Sequence, residues 1–351
     1  MKNYFGLKNS NILIVSMFLL LTSVFAPVET YAEGGSKKEG SEEPFNPGEM
    51  INHHIADAHS WEIFHGLTVH LPVIIYSSEK GLDIFSSANF YDHDHNVIPF
   101  NGYLMDHEHI TLENGEHVLD LSITKNVLFM LIDALILLLV FGAVARGYKK
   151  NAGKAPKGIQ SFFEPLIIFI RDDIAKANIG EKKYERFMPY LLTVFFFIWF
   201  GNLLGLLPGA ANMTGNIAVT LTLATITLLI TLFSGRKTYW LHIVDPLGKS
   251  MPWAGKILLY LILWPVEIIS IFTKPFSLMV RLFANITAGH ILILSILSLA
   301  FIFKSIGIGV VGAAFASAMN LLELFVAILQ AYVFTLLSAL YFGQAVEEAH
   351  H

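Results

Sequence analysis

Two apolar tracts near the C-terminal end, about Ile257–Phe303 and Ile306–Ala345, are separated only by a short turn around Lys304. At 1.5 Å per residue, a helix of around 40 residues reaches roughly 60 Å, twice the hydrocarbon thickness of a bilayer. Helices of that length must be strongly tilted, broken, or partly outside the membrane. Three shorter runs, Val127–Ala145, Phe187–Leu207 and Ile217–Phe233, carry almost no charge and have the length of single spans. Only 15% of the 351 residues are charged and 54% are hydrophobic, against roughly 25% charged in an average soluble protein. No soluble domain could hide that much apolar surface, which disfavours a soluble enzyme, a nucleic-acid binder and a disordered chain. The pattern predicts an all-α membrane domain over residues 123–351. Its five transmembrane helices fall at about 125–145, 187–207, 217–233, 257–303 and 306–345, the last two forming a long, tilted hairpin.

The flanking charges orient these spans. Arg146, Lys149, Lys150, Lys154 and Lys157 follow the first, Arg186 leads into the second, and Arg236 and Lys237 follow the third. Basic loop residues favour the cytoplasmic side, so the turn Pro208–Asn216 falls outside. Five spans then take an outside N-terminus to a cytoplasmic C-terminus. Between the first two, residues 156–178 alternate Ile159, Phe162, Phe163, Leu166 and Ile167 with Glu164, Arg171, Asp172, Asp173 and Lys176. This suits an amphipathic helix, lying at the membrane interface or packed on protein. A polar loop, His242–Gly255, precedes the long tracts.

Upstream, Lys2 and Lys8 precede the apolar run Ile12–Phe25, and Thr30–Tyr31–Ala32 offers a small-residue ending. Residues 1–32 read as a cleavable signal peptide, or as a first anchor that stays attached. Residues 33–122 hold 16 Asp+Glu against 3 Lys+Arg, and 10 of the 14 histidines; from Ile123 onward there are 18 Lys+Arg against 11 Asp+Glu. The chain thus divides into an acidic, histidine-rich extracytoplasmic extension and a basic membrane part. The extension opens as a linker, Glu33–Glu49, then alternates like strands at Leu67–Tyr76 and His109–Ile123, with a turn at Glu113–Asn114–Gly115. A small β-rich module is predicted. Its histidines could bind zinc or buffer protons, but their spacing fits no single compact metal site, and a solvated acidic module is the plainer reading. With no cysteine in the chain, disulfides and thiolate metal sites are excluded. Neither metal nor cofactor is expected.

The informative charges are those inside the long tracts. Glu267, Lys274 and Arg281 are spaced by seven and seven, so each returns to within about 20° of the same helical direction. Ser277 and Asn285 follow the same segment. His290, nine residues after Arg281, points to about the opposite side. The second tract repeats the pattern with Asn320, Glu323 and Gln330. A charge at mid-bilayer costs about 2.5–3.5 kcal/mol even on lenient insertion scales, and such groups face a partner or a water-filled path. Part of this could be structural, with Lys274 and Glu267 snorkelling near a helix end and Arg281 serving as glue. The functional reading is a proton or ion path beside a permanent positive charge, with His and Glu as relay groups.

The segment Glu267-x6-Lys274-Pro-x-Ser277-x3-Arg281-Leu-Phe-Ala-Asn285-Ile-Thr-Ala-Gly-His290, followed by Leu-Gln330-Ala-Tyr-Val-Phe and a terminal Glu-Glu-Ala-His, resembles subunit a of the F-type ATP synthase membrane sector in bacteria. The resemblance runs from about Ile123 to His351, includes Asn202-Leu-Leu-Gly-Leu-Leu-Pro208, and leaves the exported extension outside. It implies a non-catalytic stator that holds two half-channels against a ring of small hairpin subunits with membrane carboxylates. A peripheral-stalk subunit and, indirectly, a soluble nucleotide-hydrolysing head would be further partners, all at the bacterial inner membrane. On this likeness Arg281 matches the essential arginine facing the ring. Asn285, His290, Glu323 and Gln330 match polar positions of the outside-facing half-channel, and Glu267 an acidic residue of the cytoplasmic one. Lys274, Ser277 and Asn320 would support them. One departure stands out: in a common bacterial pattern Glu takes the His290 position and His the Glu323 position, so the pair is exchanged here, and His290 resembles the mitochondrial arrangement.

Three other signals carry less. Gly307-Ile-Gly309-Val-Val-Gly312 satisfies a dinucleotide-binding pattern but opens an apolar helix with no preceding strand. No phosphate-binding G-x-x-x-x-G-K-[ST] loop exists, so nucleotide chemistry must lie on a partner. A secondary cation/proton antiporter is the transport alternative, though no internal repeat supports it; a membrane-anchored sensor would leave the charged stripe unexplained.

Overall fold

The computed structural model describes Gly48 and residues 56–64, 67–92, 96–106, 108–207, 209–245 and 253–347. The signal-peptide and linker readings (Gly48 apart), six of the ten histidines of residues 33–122 and residues 348–351 lie outside them. The chain forms two compact units, one of Met1–Leu128, Leu206–Ala211 and Gly289–Glu323, the other of Phe129–Gly205, Asn212–Ala288 and Leu324–His351.

Among the described residues of the first unit, seven short strands make three small antiparallel sheets. Strand β1 (Ser60–Phe64) pairs with β2 (Leu67–His70), and β3 (Pro72–Ser77) lies between β4 (Gly81–Ser86) and β7 (Leu119–Asp120). Strand β5 (Tyr103–Asp106) pairs with β6 (His109–Leu112). The alternating run Leu67–Tyr76 is therefore two strands with different partners. The break falls at Leu71–Pro72, because proline has no N–H for the ladder and is tolerated as a strand's first residue. Val73, Ile75, Phe90, Tyr103, Met105, Ile110 and Leu112 make the module's core.

Buried His59 fastens this module. Its Nδ1 lies 3.1 Å from Glu108 Oε2 and its Nε2 3.1 Å from Asp120 Oδ2, so one ring bridges the start of β6 to β7. Its carbonyl accepts from Ser87 Oγ at 2.7 Å. Burial alone would lower the imidazole's proton affinity, but the hydrogen bonds and charges of Asp120 and Glu108 outweigh it and lift the pKa to about 9. The ring is thus a cation held between two carboxylates at neutral pH.

Among the described residues, five helices are long and apolar enough to cross a membrane: α1 (Lys125–Lys150), α3 (Tyr184–Gly205), α4 (Ile217–Ser234), α6 (Trp253–Phe303) and α7 (Ile306–Val346). Between α1 and α3, α2 (Ile159–Phe169) runs on into a π-helical turn, Ile170–Lys176. Helix α5 (Lys237–Val244) occupies part of the stretch read from sequence as a polar loop, and carries His242.

Two of these helices pack in a manner inverted relative to a soluble bundle. Helix α4 buries Thr220, Ala224, Thr227, Thr231 and Ser234, while Leu221, Leu229 and Phe233 are exposed. Helix α7 likewise buries Ala316, Ala327, Ala331, Thr335, Ser338 and Ala339 and exposes Leu321, Leu322 and Phe325. Lipid tails are as apolar as leucine, so burying leucine gains nothing. Small residues permit close backbone approach, and hydroxyls find partners inside the bundle. Accordingly, Thr231 Oγ1 donates to the Thr227 carbonyl at 2.7 Å, and the Tyr190 hydroxyl meets Thr227 Oγ1 at 2.6 Å. The second unit's core gathers Phe163, Ile170 and Ile174 of the amphipathic segment with Leu191, Phe195, Phe196 and Ile198 of α3, Leu278 and Leu282 of α6, and Phe334 and Phe342 of α7. The segment thus packs one apolar face on protein, while Ile159, Phe162, Ile168 and Phe169 stay exposed. Arg171 and Lys176 bond Asp172 at 2.7 and 2.8 Å and hold its carboxyl well below the usual range.

Candidate functional site

All nine residues singled out in the long tracts lie on α6 or α7. Glu267, Lys274, Ser277, Arg281, Asn285 and His290 belong to α6, and Asn320, Glu323 and Gln330 to α7. Neither Pro265 nor Pro275 ends α6. Its helical course is what turns the seven-residue spacing of Glu267, Lys274 and Arg281 into a stripe.

In the second unit this stripe is handled piece by piece. Glu267 Oε1 lies 3.7 Å from His242 Nδ1 on α5. Burial, and then the field of Glu267, raise the nearby Tyr239 phenol above its ordinary range, so it stays protonated. Lys274 Nζ donates to Gln344 Oε1 at 2.9 Å and stands 5.7 Å from the Tyr341 ring centre. Arg281 is half-buried and, among the described residues, makes no hydrogen bond or ion pair, with Tyr341 within electrostatic reach. Asn285 is exposed and Gln330 is buried. An arginine held in an apolar helix without a carboxylate partner among the described residues is suited to an external anion.

In the first unit the structure brings His290 and Glu323 together. Their Nδ1 and Oε2 atoms are 4.0 Å apart, beyond a direct hydrogen bond. Glu323 is buried, and its Oε1 has no hydrogen-bond partner among the described residues. Gly289 makes this approach feasible, because a Cβ there would collide with the Glu323 carboxyl. Asn320 sits one turn before Glu323.

Sequence reasoning passed over two further polar features. Asp133 lies in α1, inside the run judged nearly free of charge; it is fully buried, and neither carboxyl oxygen has a hydrogen-bond partner among the described residues. A lone acid in a span was the available signal. Asn202 of α3 is also buried; its Oδ1 accepts from the Thr214 hydroxyl, and its Nδ2 is 3.5 Å from the Ala327 carbonyl. The motif beginning at Asn202 marked the position, but not its partners.

Among the described residues, five long apolar helices with ionisable groups inside the spans define a multi-pass membrane protein. Comparison with known proteins narrows the class. The family model described as ATP synthase A chain matches residues 127–343, and a second, described as a domain of unknown function (DUF8433), matches residues 50–128. The ATP synthase subunit a of Chloroherpeton thalassium is 51% identical over 235 residues, 66% of this chain and 69% of the relative. The ATP synthase subunit a 2 of Chlorobaculum tepidum is 42% identical over 331 residues, 92% of this chain and 80% of the relative. That of Prosthecochloris aestuarii is 41% identical over 339 residues, 95% and 90% of the two chains. The chain belongs to the ATP synthase subunit a family.

Proposed function

We propose that this protein is the proton-translocating stator of a rotary ATP synthase, forming two half-channels that load and unload the carboxyl groups of a ring of hairpin subunits. The observation that carries the reading is the His290–Glu323 pair, a histidine and a buried carboxyl 4.0 Å apart on two membrane helices. Groups of these two types exchange protons near neutral pH when coupled, and the pair titrates as a unit. By the resemblance, Asn285 and Gln330 are further polar positions of the outside-facing path. Glu267, beside His242 on the helix that follows basic Arg236 and begins at Lys237, belongs to the cytoplasmic path. Lys274, Ser277 and Asn320 position these groups.

Arg281 keeps the two paths apart. A proton crossing the membrane potential releases about 2.3 kcal/mol per 100 mV, so several ring steps must be summed to drive synthesis and leakage must be small. A fixed guanidinium attracts the deprotonated ring carboxylate and repels a bare proton. A protonated carboxyl passes on into lipid. The exposed apolar faces of α6 and α7, with Phe272, Phe276, Leu321 and Phe325, suit a ring of apolar helices as neighbour. The subunit is non-catalytic, binds a peripheral stalk, and reaches the nucleotide-hydrolysing head only through other subunits. It spans the bacterial inner membrane with its N-terminal extension outside and its C-terminus in the cytoplasm; the exposed apolar residues of α2 rest at the interface.

Replacing Arg281 by alanine tests the reading. In the purified complex, Arg281→Ala is expected to abolish proton-driven ATP synthesis while the ring and stalk remain assembled. Normal coupled turnover in that variant refutes it.

A further inference from the structure

The module that matches the domain of unknown function is bound to the membrane part at defined places, all within the first unit. Lys125 N donates to the Ala58 carbonyl at 2.8 Å, and Asn126 N donates to Asp57 Oδ1 at 3.0 Å. Residues far upstream thus satisfy amide groups in the first turn of α1 that no helical bond can reach, and a carboxylate at a helix N-terminus is electrostatically favoured. A second attachment joins Trp61 Nε1 of β1 to the Gly209 carbonyl at 2.9 Å. Gly209 has φ 73°, and a Cβ there would come within 2.9 Å of the Glu62 carbonyl and 3.1 Å of that of Ile63. The backbone of β1 therefore lies directly on the turn Leu206–Ala211.

Lys125 is the meeting point. Its ammonium is within electrostatic reach of Asp57 and Glu62 of the module and also of His290 on α6, which in turn faces Glu323 on α7 at 4.0 Å. Four charged or titratable groups of the same unit, Asp57, Glu62, Lys125 and His290, thus lead from the module to the membrane pair.

We infer that the exported β module is the outer wall of the proton entrance, and that Asp57, Glu62 and Lys125 set how readily a proton from the exported side reaches His290 and Glu323. The inference rests on the assignment of that pair to the outside-facing half-channel. The charge on Lys125 opposes the arrival of a second cation at His290, and the carboxylates of Asp57 and Glu62 offset it. One unit charge within electrostatic reach, in surroundings between protein and water, shifts proton loading by about half a pH unit. An entrance open to solvent also makes the effect weaken with salt.

The experiment uses the complete ATP synthase in liposomes, with the pH on each side set independently. Lys125→Gln is expected to move the half-maximal rate of ATP synthesis to a higher exported-side pH, by about half a unit, and to leave the cytoplasmic-side midpoint in place. Lys125→Arg keeps the charge and should restore the original midpoint. Glu62→Gln, chosen because Asp57 also caps α1, should move the midpoint the other way. All these shifts should shrink at high salt. An assembled Lys125→Gln complex with an unchanged exported-side midpoint, or one shifted equally on both sides, overturns the inference. His290→Ala separates the two levels: if it alters the exported-side profile while Lys125→Gln does not, only the module's role is lost. If His290→Ala leaves that profile intact, the assignment of the pair falls as well.

Discussion

Single residues fix the tolerances of this protein. His59 is the clearest case, because an imidazole raised to about 9 is charged throughout the physiological range and holds Glu108 and Asp120 together. The sign of its contribution follows from linkage. A group whose proton affinity rises on folding stabilises fully below its unfolded pKa, near 6.5, and that stabilisation is lost as pH climbs through about 9. Asp120 works oppositely: burial would raise its pKa, but the bonds from His59 and Ser122 win and lower it, so its share fades in acid. Amide exchange in the exported module is therefore expected to be slowest between roughly pH 5 and 7 and to accelerate beyond pH 9, after correction for intrinsic exchange. In His59→Gln the alkaline acceleration should vanish and protection at pH 6 should already be low. A module equally protected at pH 6 and pH 10 in the unsubstituted protein contradicts this. That His59 is the buried one among the described histidines of the N-terminal segment was not legible in the sequence, since its partners Glu108 and Asp120 lie 49 and 61 residues away.

At the scale of elements, the apolar runs made the five spanning helices readable, because hydrophobic length is a property of the chain alone. The seven-residue spacing on α6 was equally readable, needing only helical periodicity. Which groups pair was not. His290 and Glu323 are 33 residues apart on different helices, and their approach depends on Gly289 presenting no side chain to the carboxyl. The pair supports a double-substitution test. Exchanging the two residues, His290→Glu with Glu323→His, should restore proton-driven synthesis to several times the rate of either single variant, as coupling demands. Losses that simply add would argue that the two act separately. Strand boundaries were the least readable elements, since β1, β4 and β5 are short and their pairing is decided by the module's core.

For the whole molecule, composition divided the chain into an acidic exported part and a basic membrane part. Family comparison draws a similar division, one model covering residues 50–128 and another 127–343. The compact units divide it differently, because Leu206–Ala211 and Gly289–Glu323 join the exported module. A stator reading predicts that the full-length protein, extracted in mild detergent, co-purifies with a multi-copy ring of hairpin subunits and a soluble nucleotide-hydrolysing head. Recovery of the intact chain free of any ring, under conditions that preserve other membrane complexes, would count against it.

What the sequence determined by itself was everything that depends on local pattern: the spans and the amphipathic segment from their apolar periodicity, the expected orientation from the basic loops, and the charged stripe from a spacing of seven. Tertiary structure alone decided which buried groups face one another. It set His59 between two carboxylates, brought Glu323 to His290, left Asp133 without a hydrogen-bond partner among the described residues, and placed Trp61 on Gly209. The reason is physical. Periodicity is written along the chain, but a contact between distant segments depends on where two backbones come close, and in a membrane bundle that is governed by small side chains with weak sequence signatures.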